Sequence, residues 1–150
     1  MTKAQALEGE SSVYLGVGYF ITQIETDGKT HGFGPIIGYR YDFRDDFRLI
    51  FAVSYGGYSK GFDHVGASAG MGYIIDALVF APYIYMFVGY LGRGTQDIVK
   101  SDLAVTFGAG IEYRRYKRVG FGLDFCYASA LVERQTKGIF SSTIFTLVYF

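Results

Sequence analysis

Charged residues fall in blocks along the chain, and between the blocks lie eight nearly uncharged windows, most of them alternating large apolar with small residues. They run 11–24, 30–39, 49–59, 64–75, 77–92, 103–111, 119–132 and 138–150, with only Asp124 interrupting the seventh. In the first, Val13, Leu15, Val17, Tyr19 and Ile21 alternate with Tyr14, Gly16, Gly18, Phe20 and Thr22. The fourth sets Val65, Ala67, Ala69, Met71 and Tyr73 against His64, Gly66, Ser68, Gly70 and Gly72. The sixth sets Leu103, Val105, Phe107, Ala109 and Ile111 against Ala104, Thr106, Gly108, Gly110 and Glu112. A period of two places each set on its own face of a β-strand. Windows five and eight are apolar on both parities, so the pattern leaves their facing open. A membrane-crossing strand needs about 9–11 residues and a crossing helix about 20. Seven windows are too short for that helix. The fifth, 77–92, is the longest apolar run, but it holds Pro82, Gly89 and Gly92 and is dense in Val, Ile, Tyr and Phe, which favours a strand.

The faces are inverted relative to a soluble sheet. A water-soluble sandwich or barrel turns its large apolar face inward and its polar face to solvent. Here the second face is mostly Gly, Ala and Ser, too poor in charge for an ordinary solvated surface but suited to the crowded inside of a narrow barrel. Backbone groups in lipid must all be paired within the protein, so a spanning sheet must close. About eight strands enclose an interior that side chains can fill. The predicted fold is all-β: an eight-stranded antiparallel up-and-down transmembrane β-barrel over 11–150, preceded by a polar N-terminal tail over 1–10. The connections at 25–31, 59–63, 93–101 and 132–138 then lie at one rim and those at 42–47, 75–78 and 114–118 at the other. Arg93 to Ser101 is the longest break and marks the first rim as extracellular, since such barrels keep their longer loops outside. Asp27-Gly28 is a tight-hairpin signal. Tyr19, Tyr39, Phe51, Tyr55, Tyr73, Phe107, Tyr113, Phe121, Phe125 and Tyr127 are predicted to face lipid.

Composition narrows the classes. The chain has 150 residues, 14 Lys+Arg against 14 Asp+Glu, 21 Gly, 14 Tyr, 14 Phe, no Trp and one Cys. Zero net charge argues against nucleic acid as a partner. One cysteine excludes an intramolecular disulfide framework. Charged residues make up 19%, below the quarter or so of a soluble domain.

The eight dyad-patterned windows, Gly38-Tyr39-Arg40-Tyr41 before a charged turn, and the terminal Phe150 together resemble the small eight-stranded outer-membrane barrels, the family of the OmpA transmembrane domain and OmpX. The absence of Trp and Asn departs from that pattern. The resemblance implies the bacterial outer membrane, with the lipid bilayer as partner and an export segment absent from this chain. It also implies that the last strand, with Phe140, Ile144, Val148 and Phe150 on one face, is the signal read by the barrel assembly machinery.

Candidate chemistry is sparse. Gly66-Ala67-Ser68-Ala69-Gly70 matches a nucleophile-elbow pattern, but that elbow needs a strand, a sharp turn and a helix, and here it lies within an alternating strand. His64 shares the face of Ser68, yet four strand residues span about 13 Å, too far for direct activation. Two histidines 33 positions apart suggest no metal site, and Gly108-x-Gly110 and Gly120-x-Gly122 lack a third phosphate-binding glycine. No cofactor is expected. Cys126 is predicted to be a small inward packing residue. The inward charges are Arg40, Asp42, Arg48, Glu112, Arg114 and Asp124. Arg40, Glu112 and Asp124 are expected to form an interior polar network, because an isolated buried charge costs several kcal/mol. Asp42, Arg48 and Arg114, nearer the turns, are expected at a solvated rim. The functional expectation is a non-catalytic structural or envelope-anchoring barrel. A narrow pore in the same fold and a soluble lipocalin-like binder are the alternatives.

Overall fold

A computed structural model describes residues 9–24, 28–44, 46–59, 61, 63–75, 79–95, 98–114, 118–131 and 136–150. Residues 1–8 of the expected N-terminal tail and Asp27 of the hairpin signal lie outside the described residues. Each window becomes one strand: β1 (Glu10–Ile24), β2 (Gly28–Arg44), β3 (Phe47–Tyr58), β4 (Asp63–Ile74), β5 (Phe80–Thr95), β6 (Ile98–Tyr113), β7 (Val119–Ala130) and β8 (Thr136–Tyr149). Every strand pairs antiparallel with its sequence neighbours, and β1 pairs with β8, closing the barrel. Backbone bonds between Ser11 and Phe150 fasten the seam at the end of the barrel where β1 begins and β8 ends.

The stagger follows from the register. Starting at Ser12, the pairing runs through Arg40, Ile50, Gly70, Phe87, Thr106, Ala128 and Ile139 and returns to β1 at Thr22. With a rise near 3.3 Å per residue and strands near 4.8 Å apart, that offset tilts the strands by roughly 40° and sets a backbone radius of roughly 8 Å. A tube this narrow is filled by its own side chains.

The inward set is the even parity in β1–β4, β6 and β7 and the odd parity in β5 and β8. Tyr83, Tyr85, Phe87, Phe145 and Leu147 therefore point into the lumen, which settles the two windows whose parity the alternation leaves open. Their bulk is matched by glycine on the neighbouring strand. Tyr85 is paired with Gly108 and Tyr83 with Gly110, and a Cβ on either glycine would run into the tyrosine ring. Phe145 lies over Gly122 in the same way. The outward set keeps large apolar groups uncovered, among them Leu15, Val17, Phe33, Phe107 and Ile144.

One connection differs from expectation. Residues 93–95 and 98–100 are paired strand, with Arg93 opposite Lys100 and Thr95 opposite Ile98, so the break expected to be the longest leaves two residues between β5 and β6. Arg93 continues the alternation toward the rim, buried on the inward parity, rather than opening an extended loop.

Candidate functional site

The lumen toward the start of β1 and the end of β8 is crossed by charge. Arg40, near the end of β2, reaches Glu112, near the end of β6, on the opposite wall. Three strands lie between β2 and β6 on either side of the ring of eight, so this ion pair spans the tube. Arg48 at the start of β3 donates to the same Glu112 oxygen, Oε1. Arg114 donates to Glu112 Oε2 from Nε at 2.9 Å and from Nη2 at 2.6 Å. Arg48 also grips Asp42 with two parallel bonds, Nε to Oδ1 at 2.9 Å and Nη2 to Oδ2 at 3.0 Å. Such bidentate charge-assisted bonds are the strong class. Glu112, Arg40 and Arg48 are almost wholly excluded from solvent.

Asp124 joins by a different route. Tyr83 Oη accepts from Arg40 Nη2 at 3.3 Å and donates to Asp124 Oδ2 at 3.4 Å. The Arg40 guanidinium also lies 4.4 Å from the Tyr14 ring centre and 4.6 Å from that of Phe145. The cluster sets three arginines against Asp42, Glu112 and Asp124, with half-buried Glu10 opposite Asp42 across the β1–β2 pair. A buried charge is tolerated only when paired and hydrogen-bonded.

The structure thus brings Arg40 and Glu112 into contact and links Asp124 to Arg40 through Tyr83. It corrects the expectation for Asp42 and Arg48, which are buried members of the cluster rather than solvated rim residues. The cause is register: Asp42 and Arg48 are direct cross-strand partners in the β2–β3 hairpin, with inward parity on both strands. Arg114, the partner nearest the open end, is the more exposed of the three arginines. The alternation placed Tyr14 on the inward parity of the first window but left Tyr83 and Phe145 unassigned. The signal for Tyr83 and Phe145 lies in the glycines they face across the strand pair, not in their own windows.

Toward the other rim the lumen narrows again. The Phe20 ring meets His64 edge-on, with centres 4.5 Å apart, and Tyr58 Oη hydrogen-bonds His64 Nδ1 at 3.0 Å. Phe20 and Tyr58 pack with Leu91, Ala104 and Ile139 in one buried cluster. Ser68 and His64 are both inward on β4, and the G-x-S-x-G match lies entirely inside that strand, without the turn and helix of an elbow. Cys126 faces inward and lies 2.9 Å from Ser141 Oγ. Among the described residues no three His, Cys, Asp or Glu side chains gather as a metal site.

The predicted outer aromatics all lie on the outward parity. Tyr39, Phe51, Tyr55, Tyr73, Phe107, Phe121, Phe125 and Tyr127 are exposed, while Tyr19 and Tyr113 are half-buried. Tyr19 is stacked on His31 and bonded to its Nδ1 at 2.6 Å. Phe140, Ile144, Val148 and Phe150 also face outward.

No protein-family model and no curated protein matches the chain. Solved structures do. Neisserial surface protein A is similar with a TM-score of 0.77 and 18% identity, over 95% of this chain and 98% of that one. Ail, the attachment invasion locus protein of Yersinia pestis, has a TM-score of 0.65 and 17% identity, over 96% of this chain and 100% of that one. The outer membrane enzyme PagL has a TM-score of 0.54 and 13% identity, over 89% of this chain and 98% of that one.

Proposed function

Because the chain has the fold of the small eight-stranded outer-membrane barrels, we propose that it is an integral barrel of the bacterial outer membrane with a structural, envelope-anchoring role and no catalysis. The observation that carries this reading is the inversion of the faces. Large apolar side chains cover the outside, including Ile144 at 71% and Leu15 at 62% exposure, while arginines and carboxylates are sealed within. A continuous apolar exterior of that kind is unstable in water and stable in lipid. A non-catalytic role is supported by the lumen, where the inward Ser68 and His64 stand too far apart in one strand for the histidine to activate the serine, and His64 Nδ1 is engaged by Tyr58. The outward row of Phe140, Ile144, Val148 and Phe150 on β8 is the surface we assign to the barrel assembly machinery.

The test is behaviour in detergent. The folded protein should require detergent or lipid to stay monodisperse, and its electrophoretic mobility should change on boiling, as closed barrels do. A monodisperse protein in plain buffer, with no mobility change, would overturn the membrane reading.

A further inference from the structure

Glu10 and Asp42 form the last pair of the β1–β2 ladder at the mouth where β1 begins, just ahead of the first spanning window. Both stand on the inward parity, and directly opposite residues on one face bring their Cβ atoms to about 5 Å. Two ionised carboxylates so placed repel, and a proton shared by the pair falls to the one without a cation. Asp42 has its cation, because Arg48 grips both of its oxygens. Glu10 makes no ion pair with a described residue, since Arg40, Arg48 and Arg114 all donate to Glu112. The charged and titratable groups facing Glu10 are Asp42 from β2, Arg48 from β3, Glu112 and Arg114 from β6 and Tyr149 from β8. At this end the inward positions of β4, β5 and β7 are the uncharged Ile74, Ala81 and Gly120. Burial and the neighbouring Asp42 push the Glu10 carboxyl up from its ordinary 4.5 to about 7, against the opposing pull of Arg114 and Arg48.

The backbone around Glu10 is built to move. Gly9 has a φ of 87°, in the left-handed region open to glycine, and a Cβ there would meet nothing. Beyond the ladder, three bonds hold the start of β1: Gly9 N–H to Asp42 O at 2.7 Å, Phe150 N–H to Ser11 O at 3.0 Å and Ser11 N–H to Phe150 O at 3.4 Å. We propose that the Glu10–Asp42 pair is a proton-operated latch: while the two carboxylates share a proton the start of β1 stays docked on β2 and on the end of β8, and when both are ionised it peels away about Gly9. This goes beyond the structural role, because it makes one end of the barrel seam respond to pH.

The direction follows from linkage. The docked state holds the Glu10 proton more tightly than the freed strand does, where the carboxyl returns to 4.5. Docking is therefore fully favoured below 4.5, weakens as the pH rises, and reaches its floor above about 7, where Glu10 is ionised in both states. Each unit between the two pKa values changes the docking equilibrium about tenfold. Glu10 is half-exposed and solvent screens part of the repulsion, so the total change is expected to be at least about tenfold rather than the full span.

The experiment follows amide exchange of Gly9, Ser11 and Phe150 in detergent micelles at about pH 5 and about pH 8.5, expressed as protection factors so that base catalysis cancels. Val17, opposite Ile144 in the middle of the seam, is the internal reference. In wild type the three amides should lose at least about tenfold in protection at the higher pH while Val17 keeps its own. Glu10→Gln, which keeps the shape of the protonated side chain, should protect them equally at both. A wild type without the loss, a loss shared by Val17, or a Glu10→Gln variant that loses protection as wild type does would overturn the latch. Carbon-13 labelling of the glutamate carboxyls supplies a second readout on the unaltered chain, with the Glu10 signal assigned by its absence from Glu10→Gln. Its midpoint should lie at about 7, and a midpoint at 4.5 would remove the shared proton and the proposal with it.

Discussion

Glu112 accepts from three arginines at once, which makes it the side chain whose loss leaves the most charge unpaired. In Glu112→Ala, Arg40 retains only the Tyr83 hydroxyl and its aromatic contacts, and Arg48 retains Asp42. Breaking a buried pair from one side typically costs about 3–5 kcal/mol. That loss should appear as a lower urea midpoint for unfolding from lipid vesicles. Arg114→Ala should cost less, about 1–3 kcal/mol, because it removes both donors to Glu112 Oε2 but leaves Oε1 its two arginines. Equal losses in the two variants would show that the cluster does not hang on Glu112. At this scale the sequence was readable for Arg40 and Glu112, which sit well inside the alternation. It was misleading for Asp42 and Arg48, where proximity to a turn suggested solvent. Whether a residue near a turn is wetted depends on what faces it across the hairpin, and one strand's pattern does not carry that.

The strands themselves were legible wherever one parity was small. Six windows showed their faces because glycine, alanine and serine marked the inside. β5 and β8 did not, because they are the strands that fill the lumen: Tyr83, Tyr85 and Phe87 from one, Phe145 and Leu147 from the other. The missing information was held by their neighbours. Gly108 and Gly110 on β6 and Gly122 on β7 are the spaces those rings occupy. Gly108→Ala should therefore cost about 1–3 kcal/mol, since its Cβ would enter the Tyr85 ring and overpack the lumen. Gly92→Ala, where an added Cβ would meet only Val65 O at 3.6 Å among the described residues, should stay within about 0.5 kcal/mol. Chemical unfolding of the two variants beside wild type checks the contrast, and equal costs would mean that the glycines serve backbone flexibility rather than ring packing. The outward face makes the complementary prediction. Ile144→Arg places a charge amid Val17 and Leu123 and should destabilise the barrel in lipid vesicles by about 2–4 kcal/mol if that face lies at the bilayer midplane. A neutral result would show that this face meets water.

For the molecule as a whole, closure is the condition on which everything else rests. An open sheet would leave two rows of backbone groups unpaired in lipid, each group costing several kcal/mol, so the β1–β8 seam is as necessary as any hairpin. The last residue touches that seam only through its backbone: Phe150 N–H donates to Ser11 O at 3.0 Å, and Phe150 O accepts from Ser11 N–H at 3.4 Å, while the ring is 72% exposed. Both backbone bonds survive removal of the ring. If the proposed assembly role of the β8 row is right, Phe150→Ala should separate two properties that usually move together. Its unfolding midpoint in vesicles should stay within about 0.5 kcal/mol of wild type. Its yield of boiling-sensitive barrel in the outer membrane of an expressing cell should fall clearly. Equal losses in both would reduce Phe150 to a packing residue at the seam, and unchanged yield would remove it from the assembly surface.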